Sequence, residues 1–150
     1  MIRAATHDDI PAIVEMGRKF YATTSYPSFA PFNPESVAAL ARMMIDTGVL
    51  LVADEGELVG MAGLVVCPFM FNADVLAAHE VMWWVDPDAQ GRGTGKALLS
   101  AIEPACRARG VGAIQMVHLH NSPPQAAVLY ERLGYRHSES SYTKVLTWQQ

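Results

Sequence analysis

Cysteine, charge and long apolar runs are all scarce in this chain of 150 residues. Two cysteines, Cys67 and Cys106, are too few for a disulfide scaffold, and both lie in apolar-patterned segments. The expectation is therefore buried free thiols in a reducing compartment. Charged residues make up 17%, with Lys+Arg 11 against Asp+Glu 15 and a net charge of −4. That balance argues against a nucleic-acid surface, which needs cations spread to meet phosphates. The longest uncharged stretch, Leu58 to Ala73, is interrupted by Gly60, Gly63 and Pro68 and falls short of a membrane span. The first residues show no basic segment followed by an apolar one, so no signal peptide is expected and a cytoplasmic location is.

What is abundant is core-forming material. Hydrophobic residues reach 51%, and no repeat, linker or low-complexity tract divides the sequence. One domain over residues 1–150 is expected, of a size that buries roughly 70% of the surface its unfolded chain exposes.

Periodicity sets the elements. Ile2 to Ala5 reads as a strand, and Thr6 with Asp9 as a capping pair ahead of a helix carrying Ile10, Ile13, Val14, Gly17, Phe20 and Tyr21. Ala22 to Phe32 has no period and reads as a loop. Asn33-Pro34 starts a second helix, buried through Val37, Leu40, Ala41, Met44 and Ile45 and ended by Gly48. Val49 to Ala53 and Leu58 to Val66 flank a turn at Asp54-Glu55-Gly56-Glu57, a hairpin pattern. Val81 to Val85 is the next strand, Lys96 to Arg109 a helix with Leu98, Leu99, Ile102 and Cys106 inward, and Ala113 to Leu119 a strand. Ser122-Pro123 opens a last helix through Leu133, and Tyr135 to His137 with Tyr142 to Leu146 predict a closing hairpin. The order implies an α/β fold (an α+β mixed sheet) with helices on both faces.

Between the strand ending at Val85 and the following helix lies Asp86-Pro87-Asp88-Ala89-Gln90-Gly91-Arg92-Gly93-Thr94-Gly95-Lys96. Alternating glycines let successive N–H groups face one concavity, and the helix start adds its free N–H groups and positive dipole end. Arg92 and Lys96 add positive charge in an otherwise acidic chain, so a phosphate or pyrophosphate is the natural guest. It is not a P-loop, because Ala97 follows Gly95-Lys96 where a hydroxyl must hold Mg²⁺. It is not a Rossmann fingerprint either, because Lys96 occupies the third glycine slot.

Gln90-Gly91-Arg92-Gly93-Thr94-Gly95 fits Q-x-x-G-x-G and strongly resembles the acyl-CoA pyrophosphate loop of the GCN5-related N-acetyltransferase (GNAT) superfamily. The resemblance extends to Ile2-Arg3-x-Ala5-Thr6-x-x-Asp9-Ile10, to Trp84-Val85-Asp86-Pro87, and to Leu129-Tyr130-Glu131-Arg132-Leu133-Gly134-Tyr135. It implies a central mixed sheet splayed between two middle strands and acetyl-CoA as cosubstrate, with no metal. The function implied is acetyl transfer to a primary amine of a small molecule, peptide or protein, directly within a ternary complex. A non-catalytic CoA-binding module is the alternative. A homodimer is a further expectation, and neither a nucleic acid nor a membrane is an expected partner.

Carried over residue by residue, the backbone of Arg92, Gly93, Thr94, Gly95 and Lys96 would hold the pyrophosphate, with Gln90 and Gly91 opening the loop. Trp84 and Val85 would line the pantetheine arm through main-chain atoms, by the physics of an added strand. The Val85 N–H is the implied oxyanion donor. Tyr130 is the implied acid for the departing thiolate. For the base, counting back from Val85 selects His79, whereas aligning on Trp83-Trp84 selects Glu80; a regular strand points these two to opposite faces. Relatives often carry Asn where Pro123 stands, and Asn121 lies two residues earlier. Tyr26, Phe29, His120 and Tyr142 are candidates for the acceptor pocket. His118 and His120 share a strand face but find no third metal ligand at a sensible spacing.

Overall fold

The computed structural model describes residues 1–146. Five strands form one mixed sheet in the order β1-β2-β3-β4-β5. The antiparallel part comprises β1 (Ile2–Ala4), β2 (Val49–Asp54), β3 (Leu58–Phe69) and β4 (Asn72–Val85), and β5 (Val111–Gln115) adds parallel to β4. Helices α1 (Ile10–Thr23), α2 (Pro34–Thr47), α3 (Thr94–Ala108) and α4 (Pro124–Arg132) cover both faces, as the element order predicts.

Local chemistry explains where the helices begin. The Asp9 carboxylate accepts the Thr6 N–H at 2.7 Å ahead of α1, and Asn33 Oδ1 accepts the Ser36 N–H at 3.0 Å at the start of α2. Ile13, Val14 and Met16 of α1 and Ala41 and Met44 of α2 pack on Leu50, Val52, Met61 and Met82. On the other face Leu98, Leu99, Ile102 and Cys106 of α3, with Tyr130 of α4, pack on Val49, Leu51, Ala62, Leu64 and Ala78. The chain leaves α2 so close to the sheet that a Cβ at Gly48 would lie 2.5 Å from the Leu64 carbonyl oxygen.

Several elements depart from the periodicity reading. Strand β3 continues to Phe69, and β4 begins at Asn72 rather than Val81, giving a long hairpin. Asn72 to Val75 are exposed, so the ladder with β3 holds them in place and no alternation of burial marks them. Strand β5 ends at Gln115, not Leu119. Tyr135–His137 and Tyr142–Leu146 form no hairpin. Tyr142 is 96% and Leu146 81% exposed, and of the first run Tyr135 packs on the core while Arg136 and His137 are exposed, so runs this short bury too little to hold a ladder. Among the described residues β5 is therefore the sheet edge, and the parting expected between two middle strands lies between β4 and this edge strand.

Two irregularities of β4 open the sheet on one side. Its register against β3 passes from Gly63↔Met82 to Leu64↔Glu80, so Val81 is an extra, bulged residue. Its pairing with β5 runs from Leu76↔Val111 to His79↔Gln115 and stops, leaving the Glu80–Val85 edge open to a cleft.

Candidate active site

The cleft deepens into a cavity of about 740 Å³ bounded by β4, the loop into α3, the end of α1 and the segment from Val117 into α4. The strand parts because of a side chain. The Val117 N–H donates to Glu80 Oε2 at 3.0 Å instead of to a β4 carbonyl. The carbonyl of the same residue accepts the Tyr130 hydroxyl at 2.9 Å. One residue's backbone thus holds a carboxylate and a phenol beside one another.

The bulge decides between the two adjacent base candidates. In an unbroken strand His79 would share a face with Trp83 and Val85. The extra residue at Val81 reverses that parity, and Glu80 takes the place on the α3–α4 face. Glu80 is 9% exposed and lines the cavity. His79 is exposed, outside the cavity lining, with Nδ1 2.8 Å from Gln115 Oε1. Burial pushes the Glu80 carboxyl up to about 7, against a partial pull downward from the Val117 N–H. The Tyr130 hydroxyl is raised well above the ordinary phenol range, first by burial, then by Glu80 and Tyr135. Its ring is tilted against Trp83 and Tyr135, each with centroids 5.8 Å away.

At the other end α3 starts without a side-chain cap. Gly93 sits at φ 87° and Gly91 at φ 78°, the left-handed region that glycine enters freely. The first helical bond returns from the Ala97 N–H to the Gly93 carbonyl, so the N–H groups of Thr94, Gly95 and Lys96 have no backbone acceptor among the described residues. Gly91, Gly93, Gly95 and Lys96 line the cavity, and Lys96 is the one cation among the described lining residues. Arg92 departs from expectation. Its guanidinium donates to the Asp88 carbonyl at 2.9 Å and lies 3.5 Å from Glu55, turned from the cavity, which leaves only its backbone to the loop. Thr94 also lies outside the lining.

Trp84 and Val85 line the cavity between these ends, with Trp83 beside them. The Asp86 N–H bonds the Val59 carbonyl of β3 at 2.8 Å. Peptide groups alternate along a strand, so the Val85 N–H and carbonyl face the cleft. Gln90 Nε2 donates to that carbonyl at 3.0 Å, and the Val85 N–H has no acceptor among the described residues.

Of the acceptor-pocket candidates, only Tyr26 lines the cavity. Phe29 packs edge-on against Tyr26 at 5.6 Å, behind the wall. His120 is exposed and outside the lining, because the chain has left β5 and the strand-end position expected for it does not exist. Tyr142 stands in solvent. His118 is 3.2 Å from the Pro123 carbonyl. Phe20, Thr23 and Leu119 are wall residues that the sequence did not single out; Phe20 carried the helical-spacing signal of a core residue, and its place at the end of α1 was the available clue. Asn121, displaced by two residues from the usual slot, also lines the cavity, and its side chain donates to the Thr23 carbonyl.

A mixed sheet parted beside an uncapped, glycine-led helix, with a carboxylate and a phenol in the parting, is the layout of an acyltransferase. Residues 17–135 match the acetyltransferase (GNAT) family, and the chain belongs to that family. Its fold is similar to an acetyltransferase from Trypanosoma brucei, at 24% identity and a TM-score of 0.70, covering 97% of this chain and 99% of that one. It is also similar to a ribosomal-protein-alanine N-acetyltransferase from Brucella melitensis biovar Abortus 2308, at 18% identity and a TM-score of 0.73, covering 96% and 98%. An aminoglycoside acetyltransferase from an uncultured soil metagenomic sample gives 19% identity and a TM-score of 0.74, covering 99% and 96%. At these identities the likeness is one of fold.

Proposed function

We propose that this chain is an N-acetyltransferase that uses acetyl-CoA and moves the acetyl group to a primary amine by direct transfer in a ternary complex. One observation carries the reading. A single cavity joins the helix N–H groups of Gly95 and Lys96, unpaired among the described residues, and the Lys96 ammonium at one end to Glu80 and Tyr130 at the other, along an open strand edge. The fit to acetyl-CoA follows from those donors. The N-terminus of α3 and Lys96 suit a pyrophosphate, and the open edge of β4 suits an amide-bearing arm.

When bound, acetyl-CoA supplies an activated acetyl thioester. Glu80 takes a proton from the ammonium form of the acceptor, so that the nitrogen has a lone pair with which to form the N–C bond. Its position near neutrality, set by burial, suits a base. At roughly 15 Å from Glu80 along β4 the Val85 N–H is too distant to hold the oxyanion of the reacting carbonyl; free and facing the cleft, it suits an amide of the pantetheine arm instead. As the C–S bond breaks, the Tyr130 hydroxyl delivers its proton to the sulfur, and the second proton that the nitrogen sheds as the amide forms restores the phenol.

Thermal unfolding with acetyl-CoA, followed by thiol release with an amine panel, tests the proposal. A ligand at a hundredfold excess over its dissociation constant stabilises by about 2.7 kcal/mol, well within detection. No shift with acetyl-CoA overturns the reading. A shift without thiol release from any amine leaves a binding module in place of an enzyme.

A further inference from the structure

We infer that the acceptor is a primary monoamine on an apolar or aromatic body, with no second cationic group. The inference rests on the transferase reading and adds the chemistry of its second substrate.

The cavity has two chemically different ends. Glu80 and Val85 are separated along β4 by roughly 15 Å, at about 3.3 Å per residue. Around Val85 the walls are glycine backbone, Gln90 and Lys96. Around Glu80 they are the carbon of Phe20, Val81 and Leu119, with the neutral polar groups of Thr23, Tyr26 and Asn121. Glu80 is the one carboxylate among the described lining residues. Asp86, the acid that follows β4, is already held by Lys19 at 3.0 Å and the Trp84 indole N–H at 2.8 Å.

One ammonium meets one carboxylate at this end. A second ammonium on the same molecule would be desolvated against aromatic and aliphatic carbon with no anion to pair with, and ring faces offset only part of that loss. The acceptor body instead meets Phe20, Val81 and Leu119, which reward burial of carbon. The hydrogen bond from Asn121 to the Thr23 carbonyl joins the α1 wall to the segment leading into α4.

The test is thiol release by the wild-type chain with acetyl-CoA and four amines: 2-phenylethylamine, tryptamine, spermidine and kanamycin. Expected is a kcat/KM for the two aromatic monoamines at least about tenfold above the other two. Leu119→Asp places a second carboxylate at the apolar end and is expected to shift the ratio toward spermidine by about tenfold or more. Thr23→Asp makes the same change from the exposed end of α1 if the first variant does not fold. Preference for spermidine or kanamycin overturns the inference while the transferase reading stands. So does acetyl-CoA binding with no acetylation of either aromatic monoamine. If acetyl-CoA neither binds nor reacts, the transferase reading fails, and the fluorescence of a Trp148→Phe variant, which keeps Trp83 and Trp84, judges the cavity on its own. Quenching by 2-phenylethylamine but not by spermidine then supports the apolar-monoamine site, and any other pattern overturns it.

Discussion

Two neighbouring glycines of the α3 loop are expected to respond in opposite ways to the same added methyl. Gly95 lies in the first turn of α3, and its φ is not in the left-handed region. A Cβ there would meet Trp83 Cζ2 at 3.5 Å and Val85 Cγ2 at 3.6 Å, ordinary van der Waals contacts. The fold therefore accepts Gly95→Ala, and the stiffer unfolded chain raises stability by about 0.4–1 kcal/mol. For a domain of this size that is a rise in Tm of about 1–4 °C. The same methyl is added to a residue of the cavity wall proposed to hold the cosubstrate, and overpacking of that kind costs about 1–3 kcal/mol. Binding then weakens at least about tenfold. With acetyl-CoA at a hundredfold excess over the wild-type constant, its stabilisation drops from about 2.7 to about 1.4 kcal/mol or less. Gly93→Ala has no neighbour to strike, yet it must hold φ 87° and so loses about 1–2 kcal/mol before any ligand is added. Thermal scans of both variants, with and without acetyl-CoA, read all four quantities. A lower Tm for unliganded Gly95→Ala, or an undiminished acetyl-CoA shift in it, refutes the assignment of this glycine to the cavity wall.

Three further perturbations probe the site and the frame. A carboxyl raised by burial contributes stability below its unfolded pKa and loses it as pH climbs through about 7, so wild type should weaken relative to Glu80→Gln by roughly 2–3 kcal/mol between about pH 5 and about pH 8. Urea unfolding at the two pH values measures this, and equal slopes for both proteins contradict the buried carboxylate. Glu80→Gln should also lose the rising limb near neutrality in the pH profile of thiol release. Tyr130→Phe keeps the ring against Trp83 and Tyr135 but loses the bond to the Val117 carbonyl, worth about 1 kcal/mol. Its kcat should fall about a hundredfold or more, and a rate within about twofold of wild type removes Tyr130 as the acid. Gly48→Ala drives a Cβ against the Leu64 carbonyl, and chemical denaturation should show a loss of about 2 kcal/mol or more with acetyl-CoA affinity intact in the folded fraction.

What the sequence disclosed and what it withheld divide along the range of the forces involved. The α3 loop is readable because its determinants are local: glycines that permit positive φ and a helix start that leaves its N–H groups free. The capping residues Asp9 and Asn33 are readable for the same reason. The choice between His79 and Glu80 is not local, because it depends on a bulge created by the register of β4 against β3, strands joined far from the site. The inner half of β4 was legible from its aromatic and β-branched run, whereas Asn72–Val75, exposed on both faces, carries no period to read. Tyr142–Leu146 shows the converse. It has the composition of a strand, but among the described residues it has no partner strand and its side chains are exposed.

The backbone of Val117 is a relay as well as a clamp. Its N–H and its carbonyl sit in successive peptide groups, one bonded to Glu80 and the other to Tyr130, the proposed base and acid, so a change of charge at one is felt as a field at the other. While Glu80 is ionised it repels any negative charge forming on Tyr130, which keeps the phenol protonated and ready to donate. When Glu80 takes up a proton, that repulsion ends and its pull on the Val117 N–H weakens. The charge on Glu80 is thereby communicated to Tyr130 across a single residue. A phenol whose neighbour has just been neutralised is a phenol that gives up its own proton more readily.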